Sequence, residues 1–566
     1  MTRLLLLVIF CTCTTAPGAR YAIVVSDVTH SDPAWHAVVE SLTVRHNGVV
    51  FAWQDSVGEV KNSLSSYRPD YVAFVGQPAT EVNVSYVQRI WSMTRALDDD
   101  PYGDAVWGVV TGYEADDAMR VVQNQTLEVK TALSGTGSSW DSWFYQAITT
   151  FEAQYNRIRY KIPDTMVVID TVCPLRCPDD RCTLLVNYLN NGIDDTIMGY
   201  HIEGEVDYFV TSGHGNVREW QLHYPDIGLE GFFRSFVGQL YGDPYDGDSR
   251  YVNSAHPRVY NAMGNCSVGN PNSSHNMPFA WLHTGGAIAM TGYMPVTTYG
   301  YMLWGIPGIF KMLQDEFTYA QAFFLNNQQL IFDRMNSTAG TDSAGLDYDR
   351  NACCYYGDPA ADIRMYEWRL PYWSQGLEID SGDTWDTLHF WIEANYDSVD
   401  PGFSGTGGRR HPFAFLPDRY DSAYIIDSDC YDAVITDNFV LMYCWKQGDQ
   451  RLASGEERWV TFVAKRLGIA EEQKNSVPIA YALNITPTVA RRHFSITYCL
   501  ARAQDATVSI YDVSGRLVAT LAQGGHQSGV HTVQWNPHVS DIAAGIYFIQ
   551  CKTPHYDAIQ KIVLIN

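Results

Sequence analysis

The chain has 566 residues, 46% hydrophobic and 18% charged, with a formal net charge of −25 from 38 basic and 63 acidic side chains. That length exceeds one hydrophobic core and divides into about three or four units. The acidic balance excludes nucleic acid and an anionic membrane surface as partners, because both select Lys and Arg.

The first element is an export signal over residues 1–19. Arg3 supplies the positive region, Leu4 to Phe10 the apolar stretch, and Ala16-Pro17-Gly18-Ala19 the small residues before cleavage. No later stretch offers ~18 consecutive apolar residues, so no transmembrane segment is expected and the chain is read as exported. From Tyr21 to Val122, short apolar runs (Tyr21 to Val25, Val49 to Ala52, Tyr71 to Val75, Ala105 to Val110) alternate with helical patterns around Trp35 to Arg45, Val57 to Ser65 and Val87 to Ala96. That alternation predicts a doubly wound, mostly parallel sheet. A helix is expected around Trp140 to Tyr160, then a cysteine-bearing insertion at 173–182. The sheet resumes with Val206 to Thr211, Arg258 to Met263 and Gly286 to Met290. Helices at Gly300 to Phe317 and Tyr319 to Met335 close the α/β domain, which spans 20–370 (20–122 and 123–370). Alternating stretches with Gly-rich turns predict a β-sandwich over 371–475, and a second small all-β domain follows over 476–566.

Of 12 cysteines, Cys11 and Cys13 leave with the signal. Export permits disulfides, and Cys430 with Cys444, and Cys499 with Cys551, are the expected bridges. Cys173, Cys177 and Cys182 lack a CxxC pair, which favours a loop bridge over zinc.

Two apolar runs end in a small residue and then one reactive side chain: Tyr208-Phe209-Val210-Thr211-Ser212-Gly213-His214-Gly215, and Val259-Tyr260-Asn261-Ala262-Met263-Gly264-Asn265-Cys266. Both read as buried parallel strands. Sites in open α/β sheets lie beyond the carboxyl ends of the strands, so His214 and Cys266 are expected in one crevice. A thiol beside an imidazole is a nucleophile with its proton shuttle. The amides of Gly215 and Cys266 are the expected oxyanion donors.

These blocks resemble the gingipain family of cysteine endopeptidases, in the clan of caspases and legumain. Five appear in order: Asp100-Pro101-Tyr102-Gly103-Asp104 before a strand, the His214-Gly215 strand, the Cys266 strand, Gly285-Gly286-Ala287 leading a strand, and the Tyr356-Gly357-Asp358-Pro359 turn. The resemblance implies a caspase-like α/β domain followed by two sandwiches. It makes Cys266 the nucleophile, His214 the general acid/base and Asp104 the acid orienting His214, with Asp100 as a neighbour in the same block. A peptide or protein is the implied substrate. The reaction requires no cofactor or metal; the acidic loops leave room for calcium as a structural ion, although no EF-hand spacing occurs. Residues 476–566 resemble the C-terminal sorting domain of type IX secretion, on Val508 to Val518, Gly529 to Trp535 and Ala543 to Ile549. This implies secretion machinery as a partner and delivery to the medium or the cell surface. The competing reading is a catalytically inactive relative acting as an adhesin or secretion component; the intact His214 and Cys266 favour the enzyme.

Overall fold

A computed structural model describes residues 19–564 except 79, 136–140, 152–153, 173–177, 223–230, 297–307, 338–342, 383, 403–409, 468–481, 487–488, 491–493, 501–503, 527–528, 536, 538–541 and 555–556. The chain divides into two compact units, Met1–Leu467 and Gly468–Asn566.

The first unit is built on a twelve-stranded, mostly parallel sheet. Its strands in chain order are β1 (Tyr21–Ser26), β2 (Val49–Trp53), β3 (Tyr71–Val75), β4 (Val106–Val110), β5 (Thr131–Ser134), β6 (Gln146–Phe151), β7 (Gln154–Lys161), β8 (Val168–Val172), β9 (Tyr208–Thr211), β10 (Arg258–Ala262), β11 (Ala287–Tyr293) and β12 (Cys353–Tyr356). The spatial order is β2-β1-β3-β4-β12-β11-β10-β9-β5-β6-β7-β8. β1, β4, β5, β9, β10 and β11 are buried along their whole length, which is why all of them but β5 read as continuous runs rather than alternating ones. The antiparallel β12–β11 pairing reverses the sheet, so β9, β10 and β11 run opposite to β1 to β4.

The helices expected around Trp35 to Arg45 and over Tyr319 to Met335 are present. Asp32 caps Pro33–His46 through Ala34 and Trp35, with Pro at the start of the helix where its missing N–H costs nothing. Thr318 and Gln321 form a reciprocal cap on Tyr319–Asn336. The helix expected around Trp140 to Tyr160 is not there: β6 and β7 occupy that stretch as an antiparallel pair. Ala147, Ile148, Thr149 and Thr150 are all buried, and β6 pairs with β5 on its other side, so sheet pairing overrides a weak helical spacing. In the stretch expected to be helical from Gly300 to Phe317, the described helix is Gly308–Met312; residues 300–307 lie outside the described residues.

Two antiparallel sheets follow in the same unit, one of Trp373–Ser381, Trp385–Ala394, Glu457–Arg466 and Tyr420–Ser428, the other of Phe413–Phe415, Phe439–Tyr443 and Asp432–Ile435. They are bonded into the α/β part: Gln329 exchanges hydrogen bonds of 2.6 Å with the backbone of His411, and Arg419 donates to Pro69 O at 2.7 Å and Asp104 O at 2.6 Å. The second unit has its own core of Leu483, Ile485, Phe494, Ile496, Val508, Ile510 and Trp535 between a three- and a five-stranded sheet.

The side chain of Cys499, and with it the expected Cys499–Cys551 bridge, lies outside the described residues. The expected Cys430–Cys444 bridge is not formed: Cys430 and Cys444 are free thiols, as are Cys353 and Cys354. Asp432 is paired with Tyr443, and continuing that register sets Cys430 opposite Trp445. Cys430 and Cys444 are thus offset by one residue, and successive side chains of a strand point to opposite faces. Cys173 and Cys177 lie outside the described residues.

The Tyr-Gly-Asp-Pro turn has a structural task. Asp358 is fully buried and accepts from Tyr21 Oη at 2.8 Å and from the Ala360 N–H at 3.0 Å, with His46 Nε2 at 2.8 Å. Burial pushes this carboxyl up, but His46, Ala360 and Tyr21 outweigh it and hold the group below its ordinary range. The stabilisation is therefore present above the unfolded carboxyl value of ~3.9 and is lost as pH falls through the depressed folded value. Asp358→Asn is expected to cost about 2–4 kcal/mol at neutral pH and to flatten the loss of stability on acidification. Chemical denaturation between pH 3 and 7 measures both, and a substitution neutral at pH 7 would contradict this role.

Candidate active site

β9 and β10 are adjacent and parallel, with Thr211 level with Ala262. Each strand leaves the sheet through a glycine in the left-handed region, Gly213 at φ +91° and Gly264 at φ +73°. His214 follows Gly213 and is exposed; Cys266 follows Asn265 and is a half-buried free thiol.

The two exits are held against each other by contacts on both sides of the reactive residues. Asn265 Nδ2 donates to Gly213 O at 2.9 Å, and Thr211 Oγ1 donates to Asn265 Oδ1 at 2.8 Å. The Met263 N–H donates to Thr211 O at 2.7 Å. On the far side, a Cβ at Gly215 would lie 2.5 Å from Val268 Cγ2 and 3.4 Å from Asn265 Cβ. The neighbours of His214 therefore pack on the neighbours of Cys266, and both side chains leave the sheet at one edge. Trp220 Nε1 anchors the His214 loop by donating to Ser212 O at 2.5 Å, and the Gln221 N–H donates to His214 O at 3.0 Å. Ser267, at φ +57°, donates its N–H to Pro295 O, so the chain turns sharply just after the thiol. The Cys266 N–H has no intramolecular acceptor among the described residues.

Asp104 is not brought to this pair. β4 runs opposite to β9 and β10, so its amino end reaches the same edge of the sheet, but β12 and β11 lie between β4 and β10. Three strand spacings are roughly 14 Å. The Asp104 carboxylate instead accepts the Leu97 N–H at 3.2 Å and converges with Asp98 and Asp437, their oxygens within 4.8 Å of one another. Burial, then the charges of Asp98, Asp437 and Asp100, push Asp104 up to about 9. Asp100 accepts the Tyr102 N–H at 2.7 Å, and burial followed by the Asp98 charge pushes it up to about 6. The orienting role expected of either residue finds no support in its contacts. Three carboxylates are the hard oxygen donors that calcium takes, so the residues present fit such an ion.

Reasoning from the sequence missed Asn265 and Thr211. Asn265 reads as a turn former after Gly264, yet its side chain is fully buried and bonded at both ends.

Residues 484–553 match the FlgD Ig-like domain family. No curated protein matches the chain. Among solved structures, a polysaccharide lyase matches at TM-score 0.13 and 8% identity, over 35% of this chain and 35% of that one. Dimeric latent PorU from Porphyromonas gingivalis matches at TM-score 0.22 and 9% identity, over 96% of this chain and 64% of that one. The chain thus spans less than two thirds of either structure, and at these TM-scores neither likeness carries an argument. No described helix is long and apolar enough to cross a membrane.

The contact of Gly215 with Val268 makes a prediction. Gly215→Ala is expected to destabilise the first unit by about 1–3 kcal/mol through overpacking, and Val268→Ala in the same chain is expected to restore most of the loss. A double-mutant cycle in denaturant measures the coupling; additive effects of the two changes would contradict the packing of the two loops.

Proposed function

We propose that the protein is a cysteine endopeptidase in which Cys266 attacks the peptide carbonyl and His214 moves the proton. The observation that carries this reading is the hydrogen bond from Asn265 to Gly213, which ties the two strand exits together one residue before each reactive group. Proximity of this kind turns two separate side chains into one catalytic unit.

In the proposed reaction His214 takes the thiol proton as the Cys266 sulfur adds to the scissile carbonyl carbon. The carbonyl oxygen becomes an oxyanion, and the N–H groups of Gly215 and Cys266 are its proposed donors. A Cys266 amide without an acceptor among the described residues suits that task. The tetrahedral centre collapses, the C–N bond breaks, and the imidazolium returns its proton to the leaving amine. The acyl–sulfur bond is then hydrolysed by a water that His214 deprotonates. No carboxylate is assigned to His214. If calcium is held, Asp98, Asp104 and Asp437 would hold it, and its contribution would be to neutralise three like charges at the seam with the sandwich.

Export and delivery to the medium or the cell surface belong to the same proposal. They rest on the leader pattern and on the resemblance of residues 476–566 to a type IX sorting domain, within which 484–553 match the FlgD Ig-like family. The alternative, an inactive surface adhesin or secretion component, would leave His214 and Cys266 at adjacent strand exits without a task.

Purified chain and a positional peptide library test the reading. Cys266→Ala is expected to abolish hydrolysis, and His214→Ala to lower kcat/KM by at least about 10³-fold. Hydrolysis by Cys266→Ala at the wild-type rate would refute the mechanism. Asp104→Asn is expected to leave kcat within about threefold, since its carboxylate faces Asp98 and Asp437; a loss near the ~10⁴ of a removed orienting acid would reinstate it beside His214.

A further inference from the structure

One buried polar chain runs through both strand exits. Tyr260 Oη lies 2.9 Å from Thr211 Oγ1, Thr211 Oγ1 donates to Asn265 Oδ1 at 2.8 Å, and Asn265 Nδ2 donates to Gly213 O at 2.9 Å. Thr211, Tyr260 and Asn265 are all 0% exposed. A threonine hydroxyl has one proton, and here it goes to Asn265, so Tyr260 is the donor to Thr211. Burial pushes the Tyr260 phenol well up, so it remains a donor at any working pH.

The chain therefore has one direction, Tyr260 to Thr211 to Asn265 to Gly213. It also fixes the carboxamide. Turned over, Asn265 would set its NH₂ against the Thr211 proton and its oxygen against the Gly213 carbonyl, leaving two buried mismatches of about 1–3 kcal/mol each. Gly213 immediately precedes His214 and Asn265 immediately precedes Cys266, so the length of one side chain spans the gap between the two loops.

We infer that Asn265 is a positioning residue, whose carboxamide sets the separation of the Cys266 sulfur from the His214 imidazole, and that the Thr211 hydroxyl sets the orientation of that carboxamide. The inference rests on the cysteine-peptidase reading. Asn265 is buried beneath the loops, so it touches neither substrate nor the reacting atoms. Its loss lets the loops drift, and a displacement of about 1 Å is enough to cost a reaction about 100-fold.

The test uses the full chain and three variants, Asn265→Ala, Thr211→Val and Thr211→Ser, with peptide hydrolysis and iodoacetamide alkylation of Cys266 as readouts. Cys430 is the other half-buried free thiol among the described residues and serves as the internal control. Asn265→Ala is expected to lower kcat about 100-fold with KM within about threefold, and to slow alkylation of Cys266 about tenfold while Cys430 reacts as before. Thr211→Val keeps the side-chain shape and is expected to lower kcat about tenfold; Thr211→Ser restores the hydroxyl and is expected within about twofold of wild type. An Asn265→Ala chain with kcat within threefold of wild type, or Thr211→Ser as impaired as Thr211→Val, would overturn the inference. A wild-type chain that hydrolyses no peptide would sink the peptidase reading, and the ratio of Cys266 to Cys430 alkylation would then decide the role of Asn265 alone.

Discussion

The pairing of β9 with β10 is the constraint on which the rest depends. Two parallel strands in register deliver their carboxyl ends to one edge of the sheet, and Thr211 stands level with Ala262. Pairing alone leaves the loops beyond the strands free to separate. The Asn265 bond to Gly213 and the close approach of Gly215 to Val268 remove that freedom. The glycines are required by the same geometry: Gly213 and Gly264 take positive φ, and Gly215 has no space for a Cβ. A buried polar bridge is an uncommon way to hold two loops, because each of its groups would cost free energy if left unpaired. Here every group is paired, so the bridge is directional and specific rather than merely cohesive.

Much of the sheet is legible in the sequence because its central strands are buried on both faces. Runs such as Tyr21 to Val25, Tyr71 to Val75 and Arg258 to Met263 have no polar alternation to confuse them, and each becomes a strand within a residue or two of its expected limits. The edge formed by β6, β7 and β8 was read otherwise. Gln146 to Phe151 mixes polar and β-branched residues without a clear period, and only its pairing with β5 and β7 makes it a strand. β12, Cys353-Cys354-Tyr355-Tyr356, carries no strand signal of its own, yet it is the strand that reverses the sheet.

The candidate site divides in the same way. His214 and Cys266 are legible as candidates because each ends an apolar run; that the two runs are neighbours comes from the pairing of β9 with β10. Asp104 was a reading of sequence blocks, and no pattern of residues reports how many strands will separate two elements. The sheet inserts β12 and β11 between β4 and β10, and the carboxylate turns to Asp98 and Asp437 at the seam with the sandwich. Asn265 escaped notice for the opposite reason. Its type and place suit a turn, and only the folded chain brings both ends of the side chain to partners within the core.

In the proposed mechanism Cys266 alone among the described thiols has an imidazole to activate it. Cys266 and Cys430 are both half-buried and free, while Cys182, Cys353, Cys354, Cys444 and Cys551 are buried. Burial is the largest influence on the Cys430 thiol and pushes it up, so Cys430 is reachable but not activated. A peptidyl chloromethyl ketone, in which sulfur displaces chloride, followed by mass-spectrometric mapping of the adduct, is the most direct measurement. The adduct is predicted on Cys266 in the wild type and lost in His214→Ala. Equal modification of Cys266 and Cys430, or an adduct on Cys266 that forms just as fast without His214, would contradict the claim.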